Sequence, residues 1–274
     1  MIFDFKKNKR NASAKFELES DVIGALSGLA PVLCAPPSLR SAKKVLFVQP
    51  HPDDNQIAAG GTIAWLISRG VECWELTVTD DRYAVPEYIG KENEIETLRQ
   101  KEAKAAEKCL GMKNAGFLGF ADKTTADVQE ISRKICEVIR ELKPDFVITA
   151  DPNMANECHA DHIKVGTAVK YACMDAQCNF YPEFKDGKLR DDAYQVPNIG
   201  FYYTDKPNYI VDISDFEEKK LKSIECHVSQ AEFILKAVVR LEEQYYAKGT
   251  RYKAVEHFRL QRSLQMHCFD LPIE

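Results

Sequence analysis

Two short stretches of this 274-residue chain gather the side chains that hold divalent cations: Pro50-His51-Pro52-Asp53-Asp54 and His159-Ala160-Asp161-His162. Imidazole and carboxylate both suit zinc, and a catalytic zinc site takes three protein ligands and leaves a fourth position for water. Two adjacent aspartates in an extended loop point different ways, so one can bind metal while its neighbour reaches the water. The same His-Pro-Asp-Asp run also suits a turn followed by a helix cap. The second stretch shifts the balance. Of the six histidines in the chain, three (His51, His159 and His162) fall in these two stretches, which predicts a metal site.

The elements around them predict how the stretches meet. Lys44 to Val48 reads as a strand buried on both faces, and after a loop Ile63, Leu66 and Ile67 mark a helix closed by Gly70. A strand from Cys73 to Thr79 follows. Asn93 then caps a helix with Glu94 and Glu96 in its first turn and an apolar stripe through Ile95, Leu98, Ala105, Ala106 and Cys109, closed by Gly111. Lys101 and Glu102 fall among its polar positions. Strands at Ala115 to Leu118 and Asp145 to Ala150 flank a helix near Val128 to Leu142. This alternation predicts an α/β fold with a mostly parallel sheet and helices on both faces. Each histidine-bearing stretch follows a strand, and ligands bind at that carboxyl edge.

Residues 177–198 read as a long surface excursion. Two short aromatic-rich strands split by Lys206-Pro207-Asn208 come next, then helices over roughly 215–247. Residues 1–43 form an N-terminal segment, its first twenty residues a surface arm, and 44–274 a single domain with a C-terminal extension. A net charge of −5 argues against nucleic acid as an electrostatic partner. No stretch has the ~18 consecutive apolar residues of a membrane span, and the opening residues lack an apolar signal core. The nine cysteines are scattered and never spaced C-x-x-C, as expected of reduced thiols that pack as small hydrophobes in a cytoplasmic protein.

His51-Pro-Asp-Asp54, the following Gly60-Gly-Thr-Ile63 and His159-x-Asp-His162 together resemble the zinc-dependent de-N-acetylase superfamily, the PIG-L or LmbE-like group, from about residue 44 onward. Phe201 to Asp212 and His227-x-Ser-Gln230 are similar to its diacetylchitobiose deacetylase branch. The resemblance implies a Rossmann-like sandwich and one Zn2+ per chain held by His51, Asp54 and His162, with Asp53 as general base. It implies removal of acetyl from an N-acetylglucosamine-type sugar, GlcNAc or diacetylchitobiose. Two other readings are an amide hydrolase acting on another N-acyl amino sugar or thiol conjugate, and a non-catalytic sugar-binding relative.

In the implied mechanism zinc activates water, Asp53 takes its proton, and zinc with His159 stabilises the oxyanion while Arg99 assists by charge. Asp53 or His159 returns a proton to the leaving nitrogen. Arg99, in Leu98-Arg-Gln-Lys-Glu102, matches an arginine that the group places near metal and acyl oxygen; its other reading is an exposed residue paired one turn away. Asp161 either orients a histidine or caps the next helix facing solvent. Asn55-Gln56 departs from the Glu that many members carry after the aspartate pair. His227 and His257 read as surface or core residues, and Tyr202, Tyr203 and Tyr209 as packing, or as one ring lining the pocket. The tail through His267 resembles chains that assemble as homo-oligomers, up to a hexamer, and implies that His267 contacts substrate in a neighbouring subunit.

Overall fold

Seven strands form a sheet in the order β3-β2-β1-β4-β5-β7-β6: β1 (Lys44–Gln49), β2 (Glu72–Thr79), β3 (Lys113–Phe120), β4 (Phe146–Ala150), β5 (Asn198–Tyr202), β6 (Tyr209–Asp212) and β7 (Val255–Arg262). β1 to β5 run parallel, while β7 pairs antiparallel with both β5 and β6. The structure is a computed structural model describing Gly24 and residues 35–181, 189–230 and 233–267; the proposed N-terminal arm lies outside these. The chain divides into two compact units, Met1–Ala35 with Asp270–Glu274, and Pro36–Phe269, and the sheet belongs to the second. Among the described residues no helix is long and apolar enough to cross a membrane.

Among the described residues, six α-helices accompany the sheet: α1 (Asp54–Ser68), α2 (Glu92–Leu110), α3 (Val128–Leu142), α4 (Ala160–Asp175), α5 (Glu217–Glu225) and α6 (Phe233–Ala247). Every residue of β4 and all of β1 past Lys44 are buried, because helices cover both faces. One core joins β1 to α1 through Phe47, Ile63 and Leu66; the other joins the opposite face to α3 and α4 through Val48, Ile135 and Val169. α3 matches its sequence pattern throughout: Asp127 accepts from the Gln129 N–H at 2.7 Å, and Ile131, Ile135 and Ile139 form the buried stripe.

Three elements differ from expectation. α1 begins at Asp54 rather than after a loop, because it is buried around most of its circumference and has no polar face to mark its first turns. α2 begins at Glu92 with Lys91 as its cap, so Asn93 lies inside it; its buried face carries Arg99 and Glu102, while Ala105 is exposed. The C-terminal extension includes β7, which inserts between β5 and β6. Its Glu256 is buried because it accepts the Gly61 and Thr62 backbone N–H groups and pairs with Lys220 at 2.7 Å. The double glycine of α1 follows from the same packing. A Cβ on Gly61 would stand 2.8 Å from Ile213, and one on Gly60 2.9 Å from Lys220 Cγ.

Asn55 and Gln56 lie in the first turn of α1, where both side-chain amides donate to one oxygen of buried Glu75 on β2, at 3.1 and 2.8 Å. Burial pushes Glu75 from an ordinary 4.5 up to about 8. The folded chain therefore holds a proton that the unfolded chain releases above 4.5, and stability should fall as pH rises toward 8, by up to about 1.4 kcal/mol per pH unit. Glu75→Gln should flatten that fall. Melting temperatures of both proteins from pH 5 to 8 decide, and parallel curves would contradict the assignment.

Candidate metal centre at the carboxyl edge of the sheet

The strand order reverses direction between β1 and β4, which is the switch point where an open α/β sheet leaves a crevice. His51 follows β1, and the loop after β4 delivers His159 and His162 at the start of α4. The two expected stretches therefore meet. Asp54 bridges them: its Oδ2 lies 3.3 Å from His51 Nδ1 and its Oδ1 3.3 Å from His162 Nε2. Ring nitrogens of His51, His159 and His162 also lie within 4.8 Å of one another. His159 packs at 4.6 Å from the His51 ring and 4.7 Å from that of His162, and is the exposed member.

The two aspartates diverge, although not because the loop is extended. Asp53 is the N-cap residue of α1 and Asp54 its first residue, so the helix start turns their side chains apart. Asp54 accepts the His51 backbone N–H at 2.9 Å and faces the imidazoles, while Asp53 Oδ2 accepts from Arg99 at 2.8 Å. Arg99 is wholly buried rather than exposed, although it does pair one turn away, with Glu102. Burial raises Asp53 to about 7 against the opposing pull of Arg99. Burial opposes protonation of His51 and His162, but Asp122, Asp161 and Asp54 raise the first to about 12, and Asp54 with Glu157 the second to about 9. The pocket is electrostatically built to hold positive charge. His159 is shifted down, first by burial and then by the two neighbouring imidazoles.

Several residues here escaped the sequence reading. Glu157 accepts the His159 backbone N–H at 2.7 Å and bonds His162 Nδ1 at 2.9 Å, which turns His162 Nε2 toward Asp54. It stands two residues before His159, a signal that could have been read. Asp122, beyond β3, faces His51 Nε2 at 3.6 Å, and Asp161 faces the same atom at 3.5 Å. Asp161 is 1% exposed and accepts from the Lys123 N–H, which overturns its solvent-facing alternative. The Tyr203 ring lies nearly parallel to that of His162, 5.7 Å away. Asp81, Lys123 and Tyr203, one in each loop after β2, β3 and β5, hold left-handed backbone at φ 56°, 55° and 50°. Such strain in non-glycine residues collects where structure is fixed for function.

Two remaining histidines lie in the interior: His227 is fully buried, and His257 stacks on Tyr246 at 3.6 Å. His267 does not join the cluster. β7 runs antiparallel so that Arg262 pairs with Asn198 at the start of β5, and the chain leaves at the opposite edge of the sheet. The seven described cysteines are all free, with Cys73, Cys136 and Cys173 buried.

The chain belongs to the PIG-L family of de-N-acetylases, which are amide hydrolases. The family match, described as GlcNAc-PI de-N-acetylase, spans residues 46–173. The diacetylchitobiose deacetylase of Thermococcus kodakarensis is 33% identical over 82% of this chain and 85% of its own. A probable N-acetyl-alpha-D-glucosaminyl L-malate deacetylase 2 of Bacillus cereus is 32% identical over 70% of this chain and 86% of its own. The N,N'-diacetylchitobiose deacetylase of Pyrococcus horikoshii, solved with its inhibitor MPG, superposes with a TM-score of 0.76 at 31% identity, covering 85% of this chain and 88% of that one.

Proposed function

We propose that this protein removes the acetyl group from an N-acetylglucosamine-type sugar, GlcNAc or diacetylchitobiose, using one Zn2+ held by His51, Asp54 and His162. The observation that carries this reading is the pair of 3.3 Å separations on either side of Asp54. Donors about 2.0–2.2 Å from zinc at tetrahedral angles stand about 3.3–3.6 Å apart, a spacing that each histidine keeps to one oxygen of Asp54, while the ring nitrogens of His51 and His162 lie within 4.8 Å of each other. Asp122 and Asp161 behind His51 Nε2, and Glu157 behind His162 Nδ1, are the outer carboxylates that such imidazoles use.

Held by His51, Asp54 and His162, a zinc ion would supply Lewis-acid chemistry, lowering the pKa of a bound water toward ~7 and polarising the acyl oxygen. Asp53, held by Arg99 and shifted upward by burial, would take a proton from the attacking water and return it to the leaving nitrogen. His159, with its exposed ring beside the ligands, donates a hydrogen bond to the developing oxyanion. All five N–H groups of Arg99 are engaged by Asp53, Pro52, Asp81, Glu102 and Ser229, so it acts through Asp53 rather than by bonding the acyl oxygen. Amine release from a panel of N-acetylated sugars tests the substrate class. Diacetylchitobiose or GlcNAc should lead; turnover of acetyl-lysine peptides alone, or of GlcNAc-malate alone, would redirect it.

The scattered spacing of the nine cysteines, with no C-x-x-C pair, supports a cytoplasmic setting. A homo-oligomer, up to a hexamer, is supported by α6, where Ile234, Val238, Leu241 and Tyr245 stand exposed at the 4-3-4 spacing of a helix-pairing seam. Since His267 leaves at the far edge of its own sheet, its contact with substrate would be in trans. Light scattering with His267→Ala kinetics checks both: an oligomer losing activity is expected, and a fully active monomer contradicts it.

A further inference from the structure

The His227-x-Ser-Gln230 motif sends no side chain to the metal ligands, yet Ser229 is bonded into the group that holds Asp53. Its backbone N–H donates to Glu102 Oε1 at 2.7 Å, and its hydroxyl donates to Glu102 Oε2 at 2.8 Å. The same hydroxyl oxygen accepts from Arg99 Nη1 at 3.3 Å. Glu102 Oε2 takes the other Nη1 proton. Asp81, on its left-handed backbone, takes the Nε proton at 2.7 Å. The remaining edge of the guanidinium, Nη2, is left for Asp53 Oδ2 and the Pro52 carbonyl.

We propose that Ser229 is a positioning residue for deacetylation, which with Glu102 and Asp81 fixes the plane of Arg99 and thereby aims the Asp53 carboxylate. The proposal rests on the reading of Asp53 as general base. A guanidinium is planar with its donors in fixed directions, so fixing two edges fixes the third. Arg99 is fully buried among three carboxylates that compete for it: Asp53, Asp81 and Glu102. Ser229 gives Glu102 two donors of its own, so Glu102 does not draw the guanidinium away from Asp53. Without the hydroxyl, one Nη1 proton and one Glu102 lone pair lose their partner, and the cheapest repair is a rotation of Arg99 toward Glu102. Ser229, in the segment between α5 and α6, thus sets the direction of the base.

The test is a kinetic cycle on the full chain loaded with zinc, using Ser229→Ala, Ser229→Thr, Asp53→Asn and the double variant Asp53→Asn/Ser229→Ala. Ser229→Ala should lower kcat by about 10–100-fold, the effect of misplacing a reacting group by an ångström or less. KM and zinc content should hold, and Ser229→Thr, which keeps the hydroxyl, should recover most of the loss. In the Asp53→Asn background, removing the hydroxyl should cost nothing further, because groups that act as one unit are not additive. Asp81→Asn, which keeps its shape, should behave like Ser229→Ala. A wild-type kcat in Ser229→Ala, or a double variant slower by the full product of the single losses, overturns the proposal. A wild-type rate in Asp53→Asn alone overturns instead the reading of Asp53 as base.

Discussion

Asp53→Asn should keep its zinc and lose kcat by on the order of 10²–10⁴-fold, the range that a positioned general base contributes. The reason is geometric. Asp53 points away from the imidazoles and into Arg99, while its neighbour Asp54 alone spans His51 and His162. The amide can still accept the Arg99 hydrogen bond through its oxygen, so the local structure survives while proton uptake does not. Metal analysis alongside single-turnover acetate release checks the split: a variant that loses zinc along with activity would move Asp53 into the ligand set.

His162→Ala should show the opposite pattern, with metal affinity falling first and activity with it. Removing one of three protein ligands should cost more than the roughly 10–100-fold that follows loss of an outer hydrogen-bonding partner. Glu157→Ala supplies the smaller effect for comparison, since Glu157 acts from outside the ligand set, on the His162 Nδ1 and the His159 backbone N–H. Zinc competition against a chelator of known affinity gives both values. Equal losses in the two variants would mean that His162 does not bind the ion.

How much of this was legible depended on whether a residue's role could be read locally. His51, Asp54, His159 and His162 follow strands in a parallel alternation, so sequence order alone put them at one edge. α3 was equally readable, because its apolar spacing and its Asp127 cap agree with its burial. Glu102 reads as polar surface, and only the family resemblance draws Arg99 toward the site, because their partners, Asp53, Asp81 and Ser229, come from three other segments. Charge buried against charge leaves no periodic trace. Glu256 and Lys220 hid β7 for the same reason, and Glu75 is intelligible only beside Asn55 and Gln56 across the sheet. The gathering of left-handed residues at Asp81, Lys123 and Tyr203 has no signature in the residue types themselves.

The most direct test is acetate release from diacetylchitobiose by protein stripped with a chelator and then titrated with zinc. Activity should be negligible after stripping and return in proportion to bound zinc up to one ion per chain, while His162→Ala under the same titration stays far below wild type. Full turnover by the stripped protein, or recovery by His162→Ala equal to wild type, would contradict a zinc centre at His51, Asp54 and His162.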